Sequence, residues 1–177
     1  MATGGVTSSG QSYDVAVDVV DNGDGTLGVV ASDNARSLDF VNTYEASGST
    51  ELTGYKSIEG RSFASGDSAT LTVSAPAGTP MPQKTQIDIS PTGSTSVPVD
   101  FGAIEYSVEN AGQTYVYTVS ETVNGMAGTQ TAANQTVSVT VSDKGNGQLD
   151  VVKTSNSGAN FNLVNVYNAT GSATRPA

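Results

Sequence analysis

Three polar side chains fall where strand alternation predicts a buried face: Lys56, Glu121 and Asn165. Their apolar neighbours of matching parity are Leu52 and Ile58 for the lysine, Tyr115, Tyr117 and Val119 for the glutamate, and Phe161, Leu163 and Tyr167 for the asparagine. Each group alone would destabilise a core, because a buried charge or an unpaired buried amide is costly. The pattern therefore indicates a reaction among the three groups.

The reaction available to these groups is amide transfer. Burial lowers the pKa of a lysine, so Lys56 could act as a neutral amine and attack the side-chain carbonyl carbon of Asn165. Burial also favours a protonated carboxyl group, and a protonated Glu121 could polarise that carbonyl and shuttle protons. Ammonia would leave, and an amide bond would join Lys56 to Asn165. Four aromatic side chains are expected to form dry walls: Tyr115, Tyr117, Phe161 and Tyr167.

Each of the three residues also has an ordinary structural explanation. A lysine near a strand end usually extends its ammonium group to solvent. A glutamate at the end of a predicted strand is usually exposed, and an asparagine can cap a turn. We favour the reaction because the three residues coincide and because the context of the asparagine occurs twice.

The chain contains an internal repeat, in which residues 13–44 align with residues 135–167. The shared landmarks are alternating valines (Val15, Val17 and Val19 against Val137, Val139 and Val141), a turn (21–25 against 143–147) and a closing strand (Leu38–Tyr44 against Phe161–Tyr167). The first copy corresponds only to the end of the second. It therefore predicts about three strands of a truncated domain.

Asn42 is the first-copy counterpart of Asn165, and alternation predicts it on the same apolar face as Leu38, Phe40 and Tyr44. Glu121 precedes Asn165 by 44 residues (165 − 121), an interval that falls before Met1 when counted back from Asn42. We therefore predict that Asn42 is an unpaired equivalent. The first copy is either the remainder of an upstream domain, which we favour, or a segment that completes a partner's sheet. In either case its apolar strand faces should dock on a neighbour.

Strand signals dominate the rest of the chain. Thr, Ser, Val and Gly are abundant, turn residues recur at short intervals, and no long helical period is present. Period-two runs lie near 51–58, 69–75, 85–89, 103–109, 114–121, 135–142, 148–153 and 161–167. Seven or eight such strands predict an all-β, two-sheet sandwich. The predicted organisation is a truncated copy at 1–46, a complete domain at 47–170 and a flexible tail at 171–177.

Composition excludes several classes of function. The net charge is −10 with only seven Lys and Arg residues, which argues against nucleic-acid and membrane-surface binding. Cysteine and histidine are both absent, which excludes disulfides, thiol catalysis, Cys/His metal sites and Ser-His-Asp triads. Neither a signal peptide nor a membrane-spanning run is recognisable, so targeting elements are expected outside this segment. No cofactor is expected.

Three ordered motifs resemble those of the pilin isopeptide-linkage domains of Gram-positive surface proteins. Leu52–Arg61 resembles the family's opening Lys-x-Leu-x-Gly-Arg, and Tyr115–Glu121 resembles its Tyr-x-Tyr-x-Val-x-Glu strand. The segments around Asn165 and Asn42 resemble its closing Phe-x-Asn-Thr-Tyr, although Val166 replaces the usual Thr. The resemblance covers 51–168 completely and 13–46 as a tail. It implies an Ig-like sandwich, a Lys56–Asn165 bond assisted by Glu121, and a structural role without turnover.

The leading functional hypothesis is a structural domain of a bacterial pilus or wall-anchored stalk, outside the cell. Its expected partners are neighbouring repeats or pilin subunits, and a host surface is a further candidate. The alternative is an adhesin module that binds host protein or glycan, but the longest candidate loop, Pro76–Pro98, contains no aromatic residue. A hydrolase is disfavoured because Glu121 is the only acidic residue among the predicted inward positions.

Overall fold

The computed structural model describes residues 4–31 and 38–171. These residues form twelve strands and one short 3-10 helix, Val108–Asn110. The strands are β1 Val6–Thr7, β2 Val17–Asp21, β3 Leu27–Ala31, β4 Thr43–Tyr44, β5 Ser47–Glu59, β6 Ala69–Ser74, β7 Gln86–Ile89, β8 Ser96–Ser107, β9 Thr114–Val123, β10 Gln135–Asp143, β11 Leu149–Ser155 and β12 Phe161–Val166. Within this described part, no helix has the length and hydropathy needed to cross a membrane.

Strands β5 to β12 form two sheets, which we call the sandwich. One sheet has the order β11-β10-β9-β6-β7, and the other has the order β12-β5-β8. All neighbours are antiparallel except β12 and β5, the last and first strands, which are parallel. Apolar residues from both sheets form one buried cluster that includes Leu52, Phe101, Ile104, Val119, Val139, Phe161 and Leu163. The predicted all-β fold with a two-sheet sandwich is confirmed.

Strand β8 differs most from its prediction. It begins at Ser96, seven residues before the predicted start, and so shortens the loop expected from Pro76 to Pro98. Pro98 is compatible with β8 because this strand lies at the edge of its sheet. A bulge also interrupts its alternation, since the register against β5 shifts near Gly102, which has a φ of +86°. The proline and the bulge together concealed the first half of the strand.

The described residues before β5, 4–31 and 38–46, are called the leading segment. Here β2 pairs with β3, and β1 pairs with β4, each as a two-stranded antiparallel unit. The strand predicted over Leu38–Tyr44 is wrong in extent, because only Thr43–Tyr44 pairs. Leu38 and Phe40 are 41% and 57% exposed, and Asn42 is exposed as well. The apolar face expected there is therefore uncovered in this structure.

The leading segment meets the sandwich at the turn between β10 and β11. Tyr44 donates its hydroxyl hydrogen to Asp143 at 2.7 Å, and its hydroxyl oxygen accepts a hydrogen bond from the Gly147 N–H at 3.4 Å. A Cβ placed on Gly5 would lie 2.6 Å from the Cα atom of Gly147, so this approach requires glycine. These contacts join the two regions through backbone and hydroxyl groups.

Candidate functional site: a buried Lys–Glu–Asn cluster

The two sheets place one polar residue each from three strands at the same point of the core. In the parallel pair, Lys56 of β5 lies opposite Leu163, and Asn165 of β12 lies opposite Ile58. Because side chains alternate along a strand, Lys56 and Asn165 project from the same inner face as diagonal neighbours. Glu121 projects from β9, in the facing sheet. The residues are distant in sequence and adjacent in the fold.

The Glu121 carboxylate contacts both other residues. Its Oε1 atom lies 3.3 Å from Lys56 Nζ, and its Oε2 atom accepts a hydrogen bond from Asn165 Nδ2 at 2.7 Å. The side chains of Lys56 and Glu121 have no exposed surface, and Asn165 is also 0% exposed. The structure therefore brings together all three residues identified from the sequence, in a site without solvent contact.

The orientation of the Asn165 amide follows from its neighbours. Its nitrogen faces two acceptors, Glu121 Oε2 and the Gln130 carbonyl oxygen, each at 2.7 Å. Its oxygen accepts no hydrogen bond from the described residues, although it is buried. An unsatisfied buried carbonyl is costly, and such groups are rare in folded proteins. The nitrogen that would leave as ammonia is thus the atom in contact with the carboxylate.

The surroundings of Lys56 favour a neutral amine. Burial lowers the pKa of its amine below the ordinary value, and the neighbouring Glu121 only partly opposes that effect. The ammonium group donates to the carbonyl oxygens of Ser57 at 2.8 Å and Leu163 at 3.1 Å. The Phe63 ring lies 5.8 Å from Nζ and covers the amine. A desolvated amine held in this way loses its proton more readily than an exposed lysine.

Three contributors to this site were missed by the sequence analysis: Phe63, Gln130 and Ala132. The Ala132 N–H donates to Glu121 Oε2 at 3.0 Å, and Gln130 contributes its carbonyl oxygen. Both lie in the connection between β9 and β10 and act through main-chain atoms. Main-chain groups leave no signature in residue type, so sequence offered no signal for them. Phe63 follows the Gly60-Arg61 turn, where strand alternation no longer applies.

The four predicted aromatic residues occupy different places. Phe161 of β12 packs against Phe101, with ring centroids 5.9 Å apart. Tyr115 and Tyr117 instead join Tyr106: the Tyr106 and Tyr115 rings stack at 5.6 Å, and the Tyr106 and Tyr117 hydroxyls are 2.9 Å apart. Both share the face of Glu121, but Tyr117 lies four residues before it, which is roughly 13 Å of strand. Strand alternation therefore predicted the face of both tyrosines correctly. They nevertheless lie too far along β9 to contact Lys56.

Tyr167, the fourth aromatic residue, lies just after the end of β12, where its ring contacts the arginine of an ion pair. The Arg61 guanidinium lies 4.9 Å from the Tyr167 ring centroid and forms a bidentate pair with Asp67, which is 4% exposed. The hydrogen bonds from Arg61 hold the pKa of Asp67 below its ordinary value. The Tyr167 N–H donates to the Glu59 carbonyl oxygen at 2.9 Å. These contacts fix the strand end that carries Asn165.

The described residues contain no group of three or more His, Cys, Asp or Glu side chains that could hold a metal ion. Asn42 lies in the leading segment, exposed and apart from this cluster.

The comparison with protein families gives one match. The family model described as FctA, Spy0128-like isopeptide containing domain, matches residues 1–45 and 52–168, which is most of the chain. No curated protein sequence matches the chain. The matched ranges include Lys56, Glu121 and Asn165 as well as Asn42.

Proposed function

Because this chain belongs to the FctA family of Spy0128-like isopeptide-containing domains, we propose that it is a structural domain of a bacterial pilus or cell-surface stalk. In this proposal an amide bond between Lys56 and Asn165 stabilises the sandwich, and Glu121 assists its formation. The observation that carries the proposal is the buried contact of one carboxylate with both the lysine amine and the asparagine amide.

The chemistry begins with a proton transfer. Lys56 gives a proton to Glu121 Oε1, which lies 3.3 Å away, and this produces a neutral amine beside a neutral carboxylic acid. Burial supports this step, because the neutral pair avoids the desolvation cost of the ion pair. The amine then attacks the Cγ atom of Asn165, and a bond forms between Nζ and Cγ.

The second step releases ammonia. The attacking nitrogen loses its remaining extra proton, and the leaving nitrogen Nδ2 gains one through Glu121, whose Oε2 atom is 2.7 Å away. The bond between Cγ and Nδ2 breaks, and the carboxylic acid is regenerated. The products are one amide and one ammonia for one lysine and one asparagine. The reaction occurs once per chain, so Glu121 acts as a proton shuttle without turnover.

The position of the bond explains what it would do mechanically. It joins the first and last strands of the sandwich, so tension enters through β5, crosses from Lys56 to Asn165 and leaves through β12. The chain between these two residues carries no load. The bond closes a loop of 109 residues (165 − 56), which on the loop-closure model stabilises the fold by roughly 4–5 kcal/mol. Unlike a disulfide, it cannot be reduced.

This role implies an extracellular location and partners that are neighbouring domains or subunits of the same structure. The adhesin alternative has no comparable site in its favour. The segment Pro76–Pro98, which seemed the longest loop, contributes β7 and the start of β8 to the sheets. A load-bearing function therefore accounts for the buried cluster, and ligand recognition does not.

The intact mass of the purified protein tests this proposal. The wild type should be lighter than its calculated mass by one ammonia, whereas Glu121→Gln should show its full calculated mass. Glu105→Gln is the matched control, since Glu105 is exposed on β8 and its replacement should leave the ammonia loss intact. Peptide mapping should then recover the Lys56 and Asn165 peptides as one linked species. A wild type of full calculated mass would refute the bond.

A further inference from the structure

Residues 126–132, in the connection between β9 and β10, lie against the second edge of β12, and we call them the connecting segment. Strand β12 is the outer strand of its sheet and pairs there with β5 alone. On its other side, the Gln130 N–H donates to the Val166 carbonyl oxygen at 3.1 Å, and the Asn168 N–H donates to the Gly128 carbonyl oxygen at 2.9 Å. The connecting segment therefore covers the end of β12 as an added strand would.

The core holds the connecting segment at both of its ends. Met126 and Ala132 are 4% and 5% exposed and belong to the buried cluster of the sandwich. Gly128, between them, has a φ of +75°, and a Cβ placed on it would lie 2.9 Å from the Tyr167 ring. Both features favour glycine where the segment passes that ring. The main-chain groups of the segment are thus fixed independently of its solvent-facing side chains.

The Gln130 carbonyl oxygen is the group of this segment that reaches Asn165. It accepts a hydrogen bond from Asn165 Nδ2 at 2.7 Å, although Gln130 as a residue is exposed. Glu121 Oε2 accepts from the same nitrogen, also at 2.7 Å. A side-chain amide nitrogen carries two hydrogens, so these two acceptors use both of them. The amide oxygen could replace the nitrogen only by facing two acceptors with no hydrogen to offer.

An aspartate at position 165 would satisfy these acceptors less well than asparagine does. An ionised carboxylate has no hydrogen to donate, and a protonated one has a single hydrogen. At least one of Gln130 O and Glu121 Oε2 would then face another acceptor oxygen, in a site without exposed surface. Such a mismatch is destabilising where water cannot compensate for it. The surroundings therefore distinguish an amide from an acid of nearly the same shape.

We propose that the Gln130 main-chain carbonyl is a positioning group that makes the site specific for an amide at residue 165. It directs Nδ2 toward Glu121, so that the carboxyl group acts on the nitrogen that leaves. It disfavours aspartate, although an aspartate could undergo the equivalent reaction. This inference rests on the function proposed above, because the specificity concerns the formation of the Lys56–Asn165 bond.

The covalent step differs between the two side chains only in the group that leaves. With Asn165, a bond forms between Lys56 Nζ and Cγ, the bond between Cγ and Nδ2 breaks, and the nitrogen leaves as ammonia with a proton transferred through Glu121. With an aspartate, the bond between Cγ and one carboxyl oxygen breaks, and that oxygen leaves as water. The mass that is lost therefore identifies which reaction has occurred.

The time course of bond formation tests the specificity. Chains are made by cell-free translation, denatured at intervals and measured by intact mass. The wild type should lose one ammonia, and Asn165→Asp should lose one water at least tenfold more slowly. Gln130→Ala keeps the main-chain carbonyl and is the matched control, so it should react at the wild-type rate. Equal rates for Asn165→Asp and the wild type would overturn the inference, whereas a wild type of full calculated mass would refute the bond itself.

Weakening the carbonyl alone separates positioning from folding. Replacement of Thr131 by its α-hydroxy acid converts the Gln130 carbonyl from an amide to an ester, which is a weaker hydrogen-bond acceptor. The N–H that is lost makes no backbone hydrogen bond within the described part of the chain. The ester should slow the reaction of Asn165 more than that of Asn165→Asp, and should reduce the ratio of the two rates at least threefold.

The matched control is an ester in the same segment that does not contact Asn165. Replacement of Thr129 by its α-hydroxy acid weakens the Gly128 carbonyl, which accepts from Asn168, and removes the N–H that Thr129 donates to Met126. It should leave the ratio of the asparagine and aspartate rates unchanged. If the Thr131 ester also leaves that ratio unchanged, Gln130 has only a structural role and the inference is overturned.

A second readout does not need the bond to form. In Lys56→Met, which has no amine to react, the two Nδ2 hydrogens of Asn165 should exchange slowly with solvent. The ester at Thr131 should speed that exchange at least threefold, while the ester at Thr129 should not. Equal exchange with both esters would contradict the positioning by Gln130, whether or not the wild type loses ammonia.

Discussion

The chain builds one hairpin twice, β2–β3 in the leading segment and β10–β11 in the sandwich, with the same register and the same turn contacts. One copy lies at the surface, and the other supplies part of the core. The turn bonds join residues only two positions apart, so each hairpin forms them without help from the rest of the fold. Burial requires neighbouring strands, and only the sandwich provides them. A local sequence can therefore form a hairpin and its turn, but other elements must cover that hairpin before it is buried.

The difference has an energetic consequence. A fully buried valine contributes roughly 1.5–3 kcal/mol relative to an exposed one. The three valines of β10 receive that contribution, and those of β2 do not. A two-stranded unit without a covered face is marginal in water. The leading segment should therefore be the first part of the described chain to open.

The largest expected effect comes from removing the proposed Lys56–Asn165 bond, which has no counterpart in the leading segment. Lys56→Met should restore the full calculated mass and lower the free energy of unfolding by roughly 4–5 kcal/mol through the lost loop closure. Glu121 would also lose its buried cation, which adds to the loss. Intact mass shows whether the bond is absent, and denaturant unfolding measures the change in the free energy of unfolding. Lys84→Met, at an exposed lysine, is the control, and an unchanged midpoint in Lys56→Met would contradict the proposed tie.

A smaller effect should distinguish the two hairpins directly. Val139→Ala should lower the free energy of unfolding by roughly 1–3 kcal/mol, because it leaves a cavity at a fully buried position. Val17→Ala changes the equivalent residue, which is 51% exposed, and should shift the unfolding midpoint very little. Equal losses in the two variants would show that β2 is covered in solution.

The Arg61–Asp67 pair should make the sandwich sensitive to acid. The pKa of Asp67 is lower in the folded protein, so its stabilising contribution is complete above the ordinary aspartate pKa and is lost as pH falls through the folded value. Asp67→Asn should therefore lower the melting temperature most near neutral pH. The difference from wild type should shrink below about pH 4. Melting temperatures across this range measure the effect, with Asp18→Asn in β2 as a control for the loss of one charge. A difference that grows at low pH would contradict the assignment.

The smallest effect concerns the junction between the two regions. Tyr44→Phe removes the hydroxyl that donates to Asp143 and should speed amide exchange at Ser47, whose N–H bonds to Gly147. The ammonia loss and the unfolding midpoint of the sandwich should not change. Tyr13→Phe is a matched control, because it removes a hydroxyl bonded to Asp39 inside the leading segment. Slower exchange in Tyr44→Phe would show that the hydroxyl strains the junction.

Much of the sandwich was predictable because its strands alternate cleanly. Parity placed Lys56, Glu121 and Asn165 on inner faces, and the structure brings them together. The first half of β8 was not predictable, because a bulge at Gly102 breaks the alternation that parity depends on. Tyr115 and Tyr117 show a second limit, since parity assigns a face but does not say which residues of other strands meet each position on it. Gln130 and Ala132 show a third, because main-chain groups act regardless of residue type.

By itself the sequence determined the strands, the hairpin turns and the faces of three polar side chains, since these depend on residues close together in the chain. The tertiary structure decided that β5 and β12 are parallel neighbours and that β9 faces them. It also decided that one hairpin is buried and its equivalent, β2–β3, is exposed. Those outcomes depend on which distant strands meet, and a pairing between distant strands is set by the whole core and not by the local pattern of either strand.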